Sequence, residues 1–410
     1  MRGLASESSS GQRFDALWAD LERVGRQGSS GGYRRFAWTS TDAALREWFT
    51  GEAQERGLDV TSDRAGNLWA WWGDPDADGP GLVVGSHLDS VPDGGAFDGP
   101  LGVVSALAAV DVLRDRGWRP QRPLGVAVFS DEEGARFGVA CAGSRIITGA
   151  LGADRARSLR DADGTTMAEA MSAAGHDPSQ VGPDERALRR VATFVELHVE
   201  QGKGLVDAHE GEGAPVGVAS SIWPHGRWRF DLRGRADHAG TTRLADRDDP
   251  MLALAAVVGT ARSAAERHAA LATVGKLSVQ PNGVNAIPSA VTAWLDARGP
   301  VEQDVRAVVA AVGLAAGSEP VEESWTAATD FDTALRDRLA ALLGEDGAPA
   351  PVLPTGAGHD AGILSAAGVP TAMLFVRNPT GVSHSPYEHA DPDDCHRGVE
   401  ALVRVLEELG

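Results

Sequence analysis

His87, Asp89, Asp98, Glu132, Glu133, His198 and His384 are residue types that hold divalent cations or move protons, and most of them end short apolar runs or sit among glycines. His87 and Asp89 are two apart on an extended tip, so their side chains point the same way. A carboxylate there can accept the second ring N–H of a ligating histidine and fix its tautomer. Standing alone, the pair would read as a surface histidine with a capping aspartate. Gly94, Gly95, Gly99 and Gly102 surround Asp98, allowing a tight turn and close approach of a cation; the plainer reading is a loop and helix cap. Asp131-Glu132-Glu133 places three acids in a row, which repel one another and are costly beside apolar neighbours unless solvent or metal compensates. Adjacent acids can divide the work, one holding metal and the other moving protons. Glu196, His198 and Glu200 alternate with Val195, Leu197 and Val199 and so share a face. Taken together, these histidines and carboxylates suit divalent transition metals. A two-metal site needs a carboxylate bridge, for which Asp98 is the candidate.

The elements that would position these groups are also readable. Gly81 to His87, Leu124 to Phe129 and Thr371 to Val376 are short continuous apolar runs, each followed by a polar tip or loop. Separated by helical segments such as Thr41 to Arg56 and Leu101 to Leu113, they predict a sheet buried on both faces. In such sheets functional groups gather beyond the carboxyl ends of the strands. The middle of the chain differs: Trp228, Phe230 and Leu232 alternate with Arg227, Arg229, Asp231 and Arg233, which predicts a half-exposed strand. The order that follows, β-α-β-β-α-β, is the ferredoxin-like pattern. The expected organisation is therefore a larger domain, residues 1–213 and 328–410, carrying an insertion at 214–327.

The composition narrows the alternatives. With 38 basic and 58 acidic residues the net charge is −20, so a sequence-independent grip on nucleic acid or anionic lipid is not expected. Two cysteines among 410 residues exclude a disulfide scaffold and a cysteine-rich zinc module. The apolar runs fall short of a membrane span. The polar, serine-rich opening from Met1 to Gln12 lacks the apolar stretch of a secretory signal, so the expected location is the cytoplasm.

Further motifs accompany the chemical residues: Gly85-Ser-His-Leu-Asp89, Gly95-Ala-Phe-Asp-Gly99, Glu132-Glu-Gly134, Glu196-Leu-His-Val-Glu-Gln-Gly202, Asp237-His-Ala-Gly-Thr-Thr242, Asn282-Gly-Val-Asn-Ala-Ile-Pro288, Gly356-Ala-Gly-His-Asp-Ala361 and Ser383-His-Ser-Pro386. In this order they span nearly the whole chain. The sequence resembles the amidohydrolase branch of the dinuclear-metal aminoacylase and carboxypeptidase superfamily, which contains allantoate amidohydrolases, N-carbamoyl-L-amino acid hydrolases and β-ureidopropionases. The resemblance implies an α/β catalytic domain of the zinc-exopeptidase kind, a mixed sheet with helices on both faces, plus an inserted ferredoxin-like α+β domain serving as lid and dimerisation element. It implies two divalent ions per subunit, Zn or Mn with Co or Ni as alternatives, and a homodimer acting on a small anionic ureido substrate. His87, Asp98 and His198 would hold one ion, and Asp98, Glu133 and His384 the other. Glu132 would be the general base and Asp89 the orienter of His87. His238, Asn285 and Arg298, with Gln201, Gly358 and His359, match positions close to substrate. Two departures are visible: Arg243 stands where relatives commonly have proline, and Ala297 where a larger apolar residue is usual.

The expected chemistry is metal-assisted hydrolysis of a ureido or amide C–N bond, with Glu132 acting as base and then acid. His238 would donate to the developing oxyanion, and the planar fork of Arg298 would take a substrate carboxylate. Because net charge cannot attract an anion here, local arginine recognition must do so. Allantoate, which would release ammonia and carbon dioxide from one ureido group, needs more polar pocket donors than an N-carbamoyl-L-amino acid with an apolar side chain. Ser220, Ser221, His225 and Arg243 favour allantoate. A dipeptidase or aminoacylase is a farther alternative, opposed by Gln201, Asn285 and Arg298. A catalytically silent binding protein would have lost a ligand or Glu132, and none is missing. With the chemistry split between domains, closure is expected about Gly211 to Gly217 and Ala327 to Thr329, with His238 reaching its own metals or those of a partner.

Overall fold

In the computed structural model, which describes residues 3–345 and 347–410, the chain forms two compact units, Met1–Ser220 with Asp330–Gly410, and Ser221–Thr329. Met1 and Arg2 of the polar opening, and Asp346, lie outside the described residues. The strands in chain order are β1 (Asp59–Ser62), β2 (Leu68–Trp72), β3 (Gly81–His87), β4 (Leu124–Phe129), β5 (Val191–Val199) and β6 (Val216–Ile222), then β7 (His225–Arg233), β8 (Asp237–His238), β9 (Leu271–Gln280), β10 (Ala286–Ile287), β11 (Ala290–Arg298) and β12 (Val321–Thr326), and finally β13 (Thr329–Asp330), β14 (Val352–Thr355) and β15 (Thr371–Val376).

The main sheet runs β1-β2-β4-β3-β5-β15-β6-β13, with β14 paired to β6. Four adjacent strands, β4, β3, β5 and β15, are parallel to one another, whereas β2 pairs antiparallel with β4, β6 with β15 and β1 with β2. Leu82 and Val84, Val195, Leu197 and Val199, and Leu374 and Val376 project into one core with the helices Pro100–Asp115 and Pro392–Leu409. Each fully buried aliphatic side chain there contributes about 1.5–3 kcal/mol. Residues of the other parity, including Phe194, Glu196 and His198, face the opposite side. Helix Pro100–Asp115 has proline in its first turn and is buried from Pro100 through Val110, so it is apolar on every side. Helix Pro392–Leu409 instead buries Val399, Leu402, Val403 and Leu406 at helical spacing and exposes Arg404 and Glu407. Helices Gly3–Leu21 and Thr333–Leu343 join this layer, while Ala142–Thr148, Glu185–Arg189 and Asp360–Ala366 form a second group. The architecture is a mixed sheet with helices on both faces, as the apolar runs imply. No helix among the described residues is long and apolar enough to cross a membrane.

The smaller unit is an antiparallel sheet of order β12-β7-β11-β9 with helices Pro250–Arg267 and Glu302–Ala316, the ferredoxin-like arrangement. Trp228, Phe230 and Leu232 meet Val291, Ala293, Leu295 and Ala297, with Val257, Val305 and Val309 from the helices closing the core. Ala297 is completely buried within it. A separate two-stranded antiparallel ribbon of β8 with β10, in register Ala286 to His238, stands beside the four main strands. The first crossing between units falls later than Ala214, because Val216 to Val218 pair with β15 and so belong to the large sheet. On return, the Phe331 N–H donates to Ser220 O at 3.2 Å, so the chain leaves and re-enters the large unit at neighbouring points.

Candidate metal centre

Parallel pairing aligns the carboxyl ends of four strands along one edge of the sheet. His87 is the last residue of β3 and lies opposite Phe129, the last residue of β4; His198 near the end of β5 lies opposite Phe375 of β15. Asp131-Glu132-Glu133 follows β4, and the loop carrying His384 follows β15. The edge therefore collects groups up to about 300 residues apart in sequence without any long-range coincidence.

Asp98 is the hub. Its Oδ1 lies 3.5 Å from His87 Nε2 and 3.1 Å from His198 Nε2, and its Oδ2 lies 3.4 Å from His384 Nε2. Glu133 Oε2 is 3.4 Å from the same His384 nitrogen. Two ligand groups result, His87 with Asp98 and His198, and Asp98 with Glu133 and His384, each with its candidate ligand atoms within 4.8 Å of one another. His87 and His198 are completely buried, yet neither Nε2 makes a hydrogen bond. The other ring nitrogens are occupied: His198 Nδ1 with Val199 O at 2.8 Å, and His87 Nδ1 with Asp89 O at 3.2 Å. A buried imidazole whose Nδ1 is fixed on a carbonyl and whose Nε2 faces a carboxylate fits a cation ligand. The residues present therefore suit divalent metal.

The electrostatics agree with this arrangement. Burial alone would raise Asp98, but His198, His384 and His87 outweigh it and hold its carboxyl well below the usual range. For His384, burial opposes the charge, and Asp98 and Glu133 overcome that to lift the imidazole to about 9. Burial, reinforced by Asp98, brings Glu133 up to about 7. Glu132 is pushed well above the ordinary carboxyl range, first by burial, with His87 opposing and Asp360 and Glu133 adding to it. Its Oε1 accepts the Cys141 S–H at 3.2 Å and its Oε2 stands 3.7 Å from His87 Nε2. It is a carboxyl whose preference for the proton is strong and whose position is fixed.

Other side chains surround the two ligand groups. The Asp89 carboxylate is 3.5 Å from His87 Nδ1, slightly farther than its own backbone oxygen, and also accepts the N–H groups of Glu132 and Glu133 at 3.2 and 3.0 Å. It ties the acidic loop to the β3 tip. Gln201 donates to Asp98 Oδ2 at 2.8 Å and to Ser383 Oγ at 3.1 Å, so it braces the hub. His359, preceded by half-buried Gly358, stacks edge-on against His198 with ring centres 4.5 Å apart. Burial and then the nearby His198 hold its imidazole well below its ordinary range. Gly99, at φ +86°, leaves room for the His87 ring, which any Cβ there would overlap; the glycine makes way for a protein group. Beneath the edge, fully buried Glu196 accepts from Ser86 Oγ and the Ala361 N–H. Glu200 accepts the N–H groups of Gly204 and Leu205 and shapes a turn.

In the smaller unit, His238 Nδ1 accepts the N–H groups of Gly240 and Thr241 at 3.0 and 3.2 Å. That leaves the ring proton on Nε2, so the imidazole presents a donor. Asn285 O accepts the Ala239 N–H at 2.9 Å, so Asn285 and His238 share one two-stranded ribbon. Arg298 lies elsewhere, bound through Nε and a terminal nitrogen to both oxygens of Asp296 at 2.8 and 2.6 Å, with His225 opposite it on β7. The ribbon adjoins the Ala290 end of β11 and Arg298 is at the other end, about 26 Å away at about 3.3 Å per residue. One small molecule cannot touch both ends from a single chain. Arg243, mostly exposed, pairs with Asp246.

Residues 83–408 match the model of peptidase family M20/M25/M40, and the chain belongs to this family. The N-carbamoyl-L-amino acid amidohydrolase of Geobacillus stearothermophilus is 36% identical over 411 residues, 96% of this chain and 98% of the relative. The allantoate amidohydrolase of Escherichia coli (strain K12) is 30% identical over 399 residues, 93% of each chain. Among solved structures, an amidase of the hydantoinase/carbamoylase family from Burkholderia vietnamiensis superposes with a TM-score of 0.86 at 30% identity, over 97% of both chains. The chain is accordingly a hydrolase of the amidohydrolase kind.

Proposed function

We propose that this chain hydrolyses a ureido C–N bond in a small carboxylate, with allantoate as the substrate and two divalent ions held by the two ligand groups that share Asp98. The observation that carries the reading is Asp98 itself, one buried carboxylate facing three imidazoles. Divalent ions there would polarise the scissile carbonyl and render a water nucleophilic at neutral pH. Glu132 takes the proton of the attacking water and passes it to the departing nitrogen, a role suited to a buried carboxyl that binds protons tightly. His238 donates through Nε2–H to the oxygen on which charge develops. Arg298, its fork held in plane by Asp296, pairs with the substrate carboxylate, and His225 opposite it supplies the polar surroundings that allantoate needs.

The separation along β11 supports a homodimer in which Arg298 and the His238–Asn285 ribbon serve a given substrate from different subunits. A second reading, an N-carbamoyl-L-amino acid as substrate, is favoured by the 36% identical relative of that activity. A panel of allantoate, several N-carbamoyl-L-amino acids and N-carbamoyl-β-alanine, assayed on metal-loaded protein, separates the two. The highest kcat/KM should fall on allantoate; a preference for N-carbamoyl-L-amino acids would transfer the assignment, and turnover of none would overturn the ureido reading.

Arg298→Lys should lower kcat/KM by about tenfold or more, because a bidentate charged contact becomes a point charge. The loss should nearly vanish for a substrate analogue whose carboxylate is an amide. Equal losses on both would remove Arg298 from carboxylate recognition.

A further inference from the structure

Among the described residues, Glu388 is a buried acid that the proposed chemistry leaves unused, and it stands between two loops that the chemistry needs. One of its oxygens, Oε1, accepts the backbone N–H of Phe97 at 2.8 Å and that of Asp98 at 3.0 Å. The other, Oε2, lies 3.4 Å from Ser383 Oγ, which is equally far from Asp98 Oδ2. Its own N–H donates to Ser385 O at 3.1 Å. A single side chain thus joins the backbone of Asp98 to the loop that carries His384, across 290 residues of sequence.

Gly95 shows how closely this contact is built. A Cβ at Gly95 would overlap the Glu388 carboxyl, while no left-handed φ demands glycine there. The missing side chain makes space for the acid. On the far side, the Phe97 ring stacks on Trp18 with centres 4.9 Å apart, so the Gly95–Asp98 loop is gripped from both directions.

We infer that Glu388 is a positioning residue of the metal centre, a clamp whose accepting oxygen fixes the backbone of Asp98 against the His384 loop so that both ligand groups keep their shared carboxylate. This rests on the proposed two-metal reading of the cluster. The physical reason is that Asp98 must aim two oxygens at three imidazoles at once, and a main chain free to turn by a few degrees would satisfy one group at the expense of the other. Backbone donors bound to a carboxylate make strong, short contacts that resist such turning. Groups that orient ligands without touching metal typically govern about 10- to 100-fold in metal affinity.

The test is Zn²⁺ titration of the metal-stripped full-length protein against a chelating dye, with stoichiometry and affinity read for the unaltered chain and for Glu388→Ala, Glu388→Gln, Glu388→Met and Gly95→Ala. The unaltered chain should take up two ions. Glu388→Ala and Gly95→Ala should each weaken at least one ion by about tenfold or more. Glu388→Gln should remain within about threefold, since its amide oxygen still accepts both N–H groups, whereas Glu388→Met, of similar length but with no accepting oxygen, should be as weak as Glu388→Ala, a split that a merely space-filling role does not produce. If Glu388→Ala does not fold, the Gly95→Ala and Glu388→Gln chains decide the matter. Two ions at unchanged affinity in the alanine chains would overturn the clamp alone, as would a Glu388→Gln chain as weak as Gly95→Ala. An unaltered chain that binds no Zn²⁺ would overturn the metal centre and the clamp with it.

Discussion

The Glu132→Gln chain is expected to keep both metal ions and to lose about 10²- to 10⁴-fold in kcat, the range for removal of a general acid–base. Glutamine has the same shape, and its amide oxygen can still accept the Cys141 S–H that meets Oε1. It also leaves the Glu132 N–H bonded to Asp89. What disappears is a buried carboxyl able to bind and release a proton beside His87. Elemental analysis alongside steady-state kinetics separates the outcomes. Near-normal kcat would remove Glu132 from proton transfer, and loss of an ion would make it a ligand.

Mixing the His238→Ala and Glu132→Gln chains, each nearly inactive alone, should restore about one quarter of the unaltered activity, since half the dimers are mixed and each mixed dimer has one complete site of two. The expectation comes from the length of β11, which keeps the His238–Asn285 ribbon and Arg298 too far apart for one small substrate, taken with the premise that Arg298 serves the site of its own chain. It also needs His238 to be a donor, which the two N–H groups received by its Nδ1 ensure. Native mass spectrometry on differently tagged chains verifies exchange. Verified exchange without recovered activity would put His238 in its own chain's site or outside catalysis.

Much of the architecture is legible in the sequence because each central strand is a continuous apolar run closed by a polar tip. In β3, β4 and β15 that pattern reveals both the buried sheet and the edge at which function gathers. Trp228, Phe230 and Leu232 likewise expose the one-sided sheet of the smaller unit. Where the reading falls short, local rules stop applying. The two-residue rule brings the Asp89 carboxylate to 3.5 Å from His87 Nδ1, but it does not show that the same carboxylate also takes the Glu132 and Glu133 N–H groups, because those donors follow another strand. Alternation in β5 tells which side Glu196 and His198 occupy, but not that this side is buried beneath Asp360 and Ala361. The two strands of the β8–β10 ribbon are too short to show a period. Glu388 is a lone acid in a loop, and its partners lie 290 residues away; only the oddly redundant Gly94-Gly95 pair hints that something must fit against it.

The smaller unit enters and leaves its host at one place, where the Phe331 N–H meets Ser220 O. A guest joined through neighbouring ends imposes little closure cost, and segments attached this way are readily tolerated by a host fold. Variation can therefore proceed on two independent accounts. Changes at Arg243 or Ala297 reshape the guest while His87, Asp98, Glu133, His198 and His384 stay anchored to a sheet that the guest does not build. On the proposed function, remodelling the passenger would change which ureido or amide compound is taken, with the ligand-bearing edge of the host left as it was.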